Sequence, residues 1–560
     1  MKPLTHFPTP STASSERWTA TSGRRPNTFA GENAPGGRVP PQRGCGRWFA
    51  GTFALLLASP AAFAAAPTKP ALNEARVAQH YAIGKIPTPV GVDPQIGGLA
   101  ALPDGRIAAC FHHGEVAIFN PAKNEWKLFA EGLQEPLGLI AAADGSLLVM
   151  QRPELTRLRD TDGDGVADRY ETVWDGFGMT GNYHEFAFGP ARGPNGKLYV
   201  GLNLASSGAS VREEIRGAWS DVGLPREEFY AGEWSGKKTA AAGRMYSRVP
   251  YRGWVVEIDE TTGAATPFAS GFRSPDGLGF DAAGNLFVND NQGDWRGTSP
   301  VHVVTRDGFY GHPASLVWRR DWKDGDPLQV PIEKLEALRT KPAINIPFAS
   351  YANSPTQMLL IPRTAAWGAL GGQLLMGEMN SPRLLRLLPE ETDGVWQGAC
   401  VFLAETEALK AGLHRLAFVG DTLYLGRTHL SWAGAEGIGT LKPTGKTPFD
   451  PLTMRVTPRG FRFEFTAPLA ASAAEPARWA GQRYYYSYHA AYGSPEREKA
   501  EFAATKVTLS NGGRTAEIAF ADGEMKPGFI YDFDLARVES AVGEAPLNAR
   551  IAYTLNRVPR

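Results

Sequence analysis

The chain is poor in cysteine, in net charge and in long apolar runs. Only 3 of its 560 residues are cysteines. No C-x-x-C-H occurs, so this chain has no c-type haem site of its own. Lys+Arg and Asp+Glu each number 58, a formal charge of zero, which leaves no electrostatic footprint for a nucleic-acid partner. No apolar run reaches the roughly 20 residues of a membrane span. What is abundant is turn chemistry. Gly (63) and Pro (43) make up about 19% of the chain, against an average nearer 12%. Set beside 14 Trp, 17 Tyr and 28 Phe, this points to many short strands.

Residues 1–64 read as a leader, not as fold. A Ser-, Pro- and Arg-rich stretch ends in Arg43 and Arg47. A short apolar run, Trp48 to Ala58, and the A-x-A sequence Ala62-Phe63-Ala64 follow. This is the pattern of a secretory signal with a long N-terminal extension, cleaved near Ala64. Cleavage gives a mature chain of net charge about −5 with no transmembrane segment, secreted or periplasmic. Cys110 and Cys400 remain, both among apolar neighbours, either as a disulfide of an oxidising compartment or as two buried thiols.

From residue 90 a phrase recurs: an apolar strand, a Gly-containing turn, a second strand. It appears at Gly97 to Ala109 around Asp104-Gly105, and at Leu137 to Val149 around Asp144-Gly145. It returns at Glu185 to Val200 around Asn195-Gly196, at Asp276 to Val288 around Gly284, at Met358 to Gly377 around Gly372, and at Leu413 to Gly426 around Gly420. The Asp-Gly and Asn-Gly pairs are read as two-residue hairpin turns. Six copies spaced by about 40–50 residues or more predict a six-bladed β-propeller over 90–447, with inserts at about 203–250 and 306–350. Residues 65–89 are a linker or first strand. After Pro448 the phrase stops, and residues 448–560 alternate apolar and polar as a small β-sandwich. The run Tyr484 to Tyr488 in that segment is either core and edge packing or a carbohydrate platform. The fold class is all-β.

Three constellations carry chemistry. The first is Asp160-Thr-Asp162-Gly-Asp164-Gly165-Val166-Ala-Asp168-Arg-Tyr-Glu171. It fills a twelve-residue calcium loop, with Asp160, Asp162, Asp164, Asp168 and Glu171 as carboxylate ligands and Val166 through its carbonyl. Its flanks read as strands, so the ion would tie down a blade loop without an EF-hand. The second is Asn182-Tyr183-His184-Glu185, where a histidine entering a strand is a candidate general base. The third pairs Arg273-Ser274-Pro275-Asp276 with Asn289-Asp290-Asn291-Gln292-Gly293-Asp294. Strand entrances converge on a propeller's axis, so these clusters can face each other across its mouth.

Taken with Phe186-Ala-Phe-Gly-Pro and Phe272-Arg273-Ser-Pro-Asp-Gly-Leu-Gly-Phe-Asp, these residues resemble the glucose/sorbosone dehydrogenase family of six-bladed propellers. Asn291-Gln-Gly-Asp294-Trp295, Phe309-Tyr-Gly-His312-Pro and Met376-Gly-Glu-Met-Asn380 look closer still to secreted "membrane-bound dehydrogenase"-type propellers, often joined to haem c domains. The resemblance covers residues 90–440. It implies pyrroloquinoline quinone (PQQ) and calcium as cofactors and a sugar or other alcohol as substrate. It makes His184 the proton acceptor and gives Arg273, Asn289, Asn291 and Arg415 to the cofactor. The family's Arg-Asn-Pro is Arg273-Ser274-Pro275 here, and no haem domain is present, so electrons would pass to an external cytochrome c or similar acceptor. The alternatives are a non-catalytic glycan- or protein-binding propeller with a calcium-stabilised loop, and a hydrolase or lyase using Glu185 and Asp294.

Overall fold

The computed structural model describes residues 74–206, 215–222, 226, 244–429 and 434–560. The expected export signal lies outside the described residues. Among them, no helix is long and apolar enough to cross a membrane.

The recurrent phrase is the inner half of a blade. Six antiparallel four-stranded sheets follow one another, each beginning with its innermost strand. These first strands are Ile96–Ala101, Gly138–Ala141, Ala187–Arg192, Leu278–Phe280, Pro355–Leu360 and Leu413–Val419. Each touches the next, and the sixth touches the first, so the ring is closed. The sixth blade has only three strands of its own. Its outer position is filled from the N-terminal side by Tyr81–Lys85, which runs antiparallel to Gly437–Pro443 with Tyr81 opposite Pro443. A short helix, Glu74–His80, that the sequence did not announce precedes this strand.

The turns differ from the expected type. Leu102 N donates to Arg106 O and Gly105 N to Leu102 O, so the loop has three residues, Pro103-Asp104-Gly105. Only the glycine has positive φ, 84°. Asp104 keeps ordinary φ because its Oδ1 accepts the Arg106 N–H at 3.1 Å, a local bond that closes the turn. Asp144-Gly145 repeats the arrangement. A three-residue loop ending in a left-handed glycine satisfies the strand twist as a two-residue one does.

The blades pack face to face through apolar clusters. One, with Leu148, Leu198, Val200 and Val256, lies between blades 2 and 3; another, with Phe186, Phe272, Val288 and Tyr310, lies between blades 3 and 4. The insert at 306–350 forms 3₁₀ turns and the helix Ile332–Leu338 before the chain returns to complete blade 4 with Ile344–Ile346.

The C-terminal segment does form two facing sheets, but it is grafted on. Strands Arg550–Thr554, Ile530–Asp534, Ala480–Tyr485 and Arg497–Ala503 extend blade 5 outward into one eight-stranded sheet, through pairing of Val401 with Ile551. Pro451–Thr457, Gly460–Phe465, Thr515–Ala519 and Lys506–Ser510 form the opposing sheet. Phe461, Phe463, Trp479, Phe502 and Phe533 fill the space between them, together with Ala399 and Val401 of blade 5. Cys110 and Cys400 are both buried and unpaired. They lie in separate blades, and burial pushes the Cys110 thiol up to about 12.

Candidate functional site

Inner-strand entrances converge at one end of the ring, and a cavity of about 40 Å³ lies there. His184, Asn203, Ser274, Asp276, Asn291 and His414 bring polar groups to it, over Phe186, Phe188 and Met379. His184 and His414 lie 230 positions apart in the sequence, and the ring brings them together.

His184 sits on a loop held at every residue. Asn182, fully buried, accepts the His184 N–H (3.0 Å) and the Ser206 N–H (3.2 Å) on Oδ1. Arg152 donates to Asn182 O at 3.0 Å, and Arg252 donates to Glu185 O and Phe186 O. Glu185 accepts the Thr180 N–H at 2.6 Å and faces Arg252, so its carboxylate serves the frame. The half-buried His184 ring places Nδ1 3.3 Å from Leu204 O. A carbonyl only accepts, so Nδ1 carries the hydrogen and Nε2 carries the lone pair. Loss of solvent and the nearby Arg273 charge pull the imidazole down to about 4, neutral at neutral pH.

Arg273 is joined to His184 through one residue: Leu204 N donates to Arg273 O at 3.1 Å. Its Nε donates to Asp294 at 3.1 Å, and its guanidinium lies 5.5 Å from the Tyr492 ring. Its terminal nitrogens make no hydrogen bond among the described residues. Asp294 also accepts from Met245 N and from His312, whose Nε2 is 3.2 Å away. Burial raises the Asp294 carboxyl, but His312 and Arg273 outweigh it and hold the group ionised. Beside it Asp290 accepts the N–H groups of Arg273 (2.8 Å) and Ser274 (2.6 Å) and pairs with Arg296 at 2.9 Å.

Asn291 lines the cavity with its buried Oδ1 unpartnered, and so is Oδ1 of Asn203. Two of the four expected cofactor residues are committed elsewhere. Asn289 accepts from Gly277 N (2.9 Å) and donates to Thr356 O (2.6 Å), stapling blade 4 to blade 5. Arg415 donates to Gly97 O, His414 O, Leu137 O and Asp276 at 2.8–3.1 Å. Its guanidinium is a strut across the axis.

His414 is the residue that pattern reading passed over. Its Nδ1 lies 3.1 Å from Ile96 O and its Nε2 3.3 Å from Asp276. It occupies a β-bulge between Leu413 and Arg415, which turns the extra side chain into the mouth. Blade 1 has its bulge at Gly97. A histidine standing where another copy of the phrase has glycine was the available signal.

The acidic loop joins strands Leu155–Arg159 and Arg169–Trp174 at the outer edge of blade 2, away from the mouth. Ligand oxygens of Asp160, Asp162 and Asp164 lie within 4.8 Å of one another. The other two expected carboxylates have protein partners. Asp168 accepts from Thr161 N and Oγ1, and Glu171 pairs with Arg159 (2.8 Å) and Arg169 (2.6 Å). Val166 offers its N–H to Asp164. Lys127, from blade 1, donates its ammonium to Asp164 O.

A family profile, "Domain of unknown function (DUF7133)", matches residues 122–224, a span that holds the acidic loop and His184. No curated protein matches the chain. Among solved structures it is similar to the PQQ-bound aldose sugar dehydrogenase of Streptomyces coelicolor, at 15% identity over 65% of this chain and 99% of that one, TM-score 0.44. It is similar at 18% identity to a putative oxidoreductase (glucose dehydrogenase) of Thermus thermophilus, over 65% and 99%, TM-score 0.43. The PQQ domain of Coprinopsis cinerea pyranose dehydrogenase follows at 12%, over 65% and 95%, TM-score 0.42.

Proposed function

We propose that this propeller is a quinoprotein-like oxidoreductase that oxidises a CH–OH group of a sugar or other alcohol at its mouth, with His184 as proton acceptor. The observation that carries this reading is the pinned imidazole. Leu204 O fixes the tautomer, and Nε2 receives no hydrogen bond among the described residues. A neutral imidazole with its lone pair free beside a cavity of orphaned amide oxygens is suited to take a hydroxyl proton.

The donor groups present suit one anionic edge of PQQ, although the cavity of about 40 Å³ has to widen before a tricyclic quinone enters. The free terminal nitrogens of Arg273 and the amide of Asn291 would hold it; Arg415 and Asn289, already bonded out, would not. When bound, the quinone supplies the acceptor for the hydride that leaves the carbinol carbon. Arg273 keeps its position through Asp294, and Asp294 through His312. The buried carboxylates Asp276, Asp290 and Asp294 are matched by the guanidiniums of Arg415, Arg296 and Arg273. The mouth therefore starts electrically balanced. Calcium at the Asp160-Asp162-Asp164 cluster would serve the blade 2 loop, not this site. Export and an external electron acceptor belong to the same proposal and rest on the N-terminal sequence and the family resemblance.

Full-length protein supplied with PQQ and calcium is expected to reduce a dye with some aldose or alcohol. His184→Gln should lose about 10²–10⁴-fold in kcat. The rate should rise as pH passes about 4 and then level, following the imidazole. No cofactor-dependent turnover across a broad panel, or a His184→Gln enzyme with unchanged kcat, would refute the reading. The full commitment of Arg415 and Asn289 to the frame favours one other reading, a non-catalytic binding propeller. Glycan binding without turnover would establish it.

A further inference from the structure

A second cleft, of about 440 Å³, lies where blade 4, the insert helix Ile332–Leu338 and the C-terminal sheet meet, and Arg296 of its lining reaches Asp290 at the mouth. Sites of this size at the junction of two units, lined by aromatics with a few placed polar groups, are the usual form of a ligand pocket. The tyrosine run of the sequence ends here. Tyr485, Tyr486 and Tyr488 line the cleft with Trp295. The Tyr488 hydroxyl donates to Gly311 O at 2.6 Å and the Tyr486 hydroxyl accepts from Phe348 N at 3.2 Å. Their rings are therefore fixed before any ligand arrives.

Two buried polar groups along this cleft have no partner within the described chain. His302 is 1% exposed, and neither ring nitrogen makes a hydrogen bond; Trp295 is 2% exposed with its Nε1–H unpaired. Buried polar groups of folded proteins are nearly always satisfied, so these orphans ask for an occupant. The two guanidiniums of the lining are already paired, and its Glu333 and Lys341 are exposed to solvent. Arg296 is neutralised by Asp290 at 2.9 Å and Arg339 by Glu336 at 2.6 Å. Burial keeps His302 uncharged.

The chemistry of the orphans selects the class of ligand. A neutral imidazole presents one donor and one acceptor, and indole presents a donor only. A phosphate or carboxylate, all acceptor, would leave the imidazole lone pair unmet. A cation would leave both N–H groups unmet. Hydroxyls donate and accept, and the C–H faces of a pyranose suit fixed aromatic rings. We propose that this cleft binds a neutral saccharide, with the Tyr485 and Tyr486 rings as platform, since the Arg339 guanidinium already covers the Tyr488 ring at 4.2 Å, and with His302, Trp295 and the side-chain amide of Asn345 as hydrogen-bonding groups. It would hold a glycan near the enzyme without taking part in its oxidation.

The test is calorimetry and intrinsic tryptophan fluorescence on the full chain with maltotriose, cellotriose and chitotriose. At least one is expected to bind and to alter the emission, since Trp295 lines the cleft. Tyr485→Ala and Asn345→Ala, both at half-buried positions, should each weaken binding about tenfold or more. His302→Leu should abolish it; should that variant fail to fold, the two rim variants decide. His184→Gln should leave the dissociation constant unchanged. No binding by any of the three trisaccharides up to millimolar concentration would overturn the proposal. So would binding that survives Tyr485→Ala and Asn345→Ala, or binding that disappears in His184→Gln.

Discussion

Arg415→Met separates a strut from a cofactor contact. In the native chain the Asp276 carboxylate is 6% exposed and receives Arg415 Nη1 at 2.8 Å and His414 Nε2 at 3.3 Å. Removing the guanidinium leaves that charge buried, and Gly97 O and Leu137 O each lose a donor. Breaking one side of a buried pair costs about 3–5 kcal/mol, because the remaining charge is uncompensated. A further contribution comes from the guanidinium over the Phe188 ring at 5.3 Å. The assay is chemical unfolding of protein that has never met a quinone. The sign of the pH effect is a second check. Burial raises the Asp276 carboxyl, but Arg415 and His414 outweigh it and hold it below the usual carboxylate value. The native pair thus stabilises above the unfolded carboxyl's pKa and fades as pH falls through the lower folded one. In Arg415→Met the carboxyl has lost its main counter-charge and protonates more readily, so the deficit should shrink toward about pH 5. Asp276→Asn in the same chain should recover about 2 kcal/mol or more, as expected when both members of a pair are neutralised. A loss under about 1 kcal/mol, or one seen only after adding cofactor, would refute the strut and return Arg415 to the ligand.

Acid should weaken the fold early. His112 is pulled down to about 3, first by burial and then by His414 and Arg415, and His302 falls well below its ordinary value for lack of solvent. Unfolded histidines take protons near pH 6.5 while these do not, so stability is full above that value. Each should cost about 1 kcal/mol as pH drops from about 6.5 to 5.5, measurable by urea titration; a flat profile over that interval would contradict it. Calcium should raise Tm, and Asp160→Asn with Asp162→Asn should remove the rise while leaving turnover unchanged. Equal Tm values in chelator and in calcium would dismiss the loop as a metal site. Cys110 and Cys400 should resist a thiol reagent in native protein and react once denatured, since both are buried thiols. Rapid native labelling would mean that their blades open.

What could be read from the sequence was what repeats locally. Asp104-Gly105 and Asp144-Gly145 announce their hairpins because the turn chemistry lies within five residues. Six recurrences suffice to count blades. Ring closure has no such signal: Tyr81 pairs with Pro443, and nothing near either residue records the other. The same distance hid the fate of Arg415, whose partner Asp276 is 139 positions away. An arginine at a strand entrance reads equally as a ligand or as a strut until its neighbours are known. Glu171 shows a related effect. Loop spacing puts it at the twelfth position, but the hairpin register sets it opposite Arg157, and its carboxylate pairs with Arg159 and Arg169.

The strut also divides the axis of the ring. Asp276 and Leu137 line the small cavity at the mouth, and they also line a larger axial cavity of about 320 Å³ that continues along the inner strands. Between the two stands the Asp276–Arg415 pair, tied to Gly97 O, to Leu137 O and, through Asp276, to His414. One guanidinium thus links the entrances of blades 1, 2, 4 and 6. A hydrogen-bonded ion pair at this depth closes the axis more selectively than apolar side chains would, because opening it exposes a charge on each side. The mouth is consequently a blind pocket. Under the proposed function a substrate at His184 would enter and leave by the same side, since the lower cavity has no His184, Asn203 or Asn291. Arg415→Met should therefore do more than destabilise the protein. By joining the two cavities it should let water reach Asp276 from below and quicken the exchange of the backbone amides of Leu139, Ile140 and Met358, which line the lower chamber. Unchanged exchange at those three amides would show that the axis is sealed by something other than this pair.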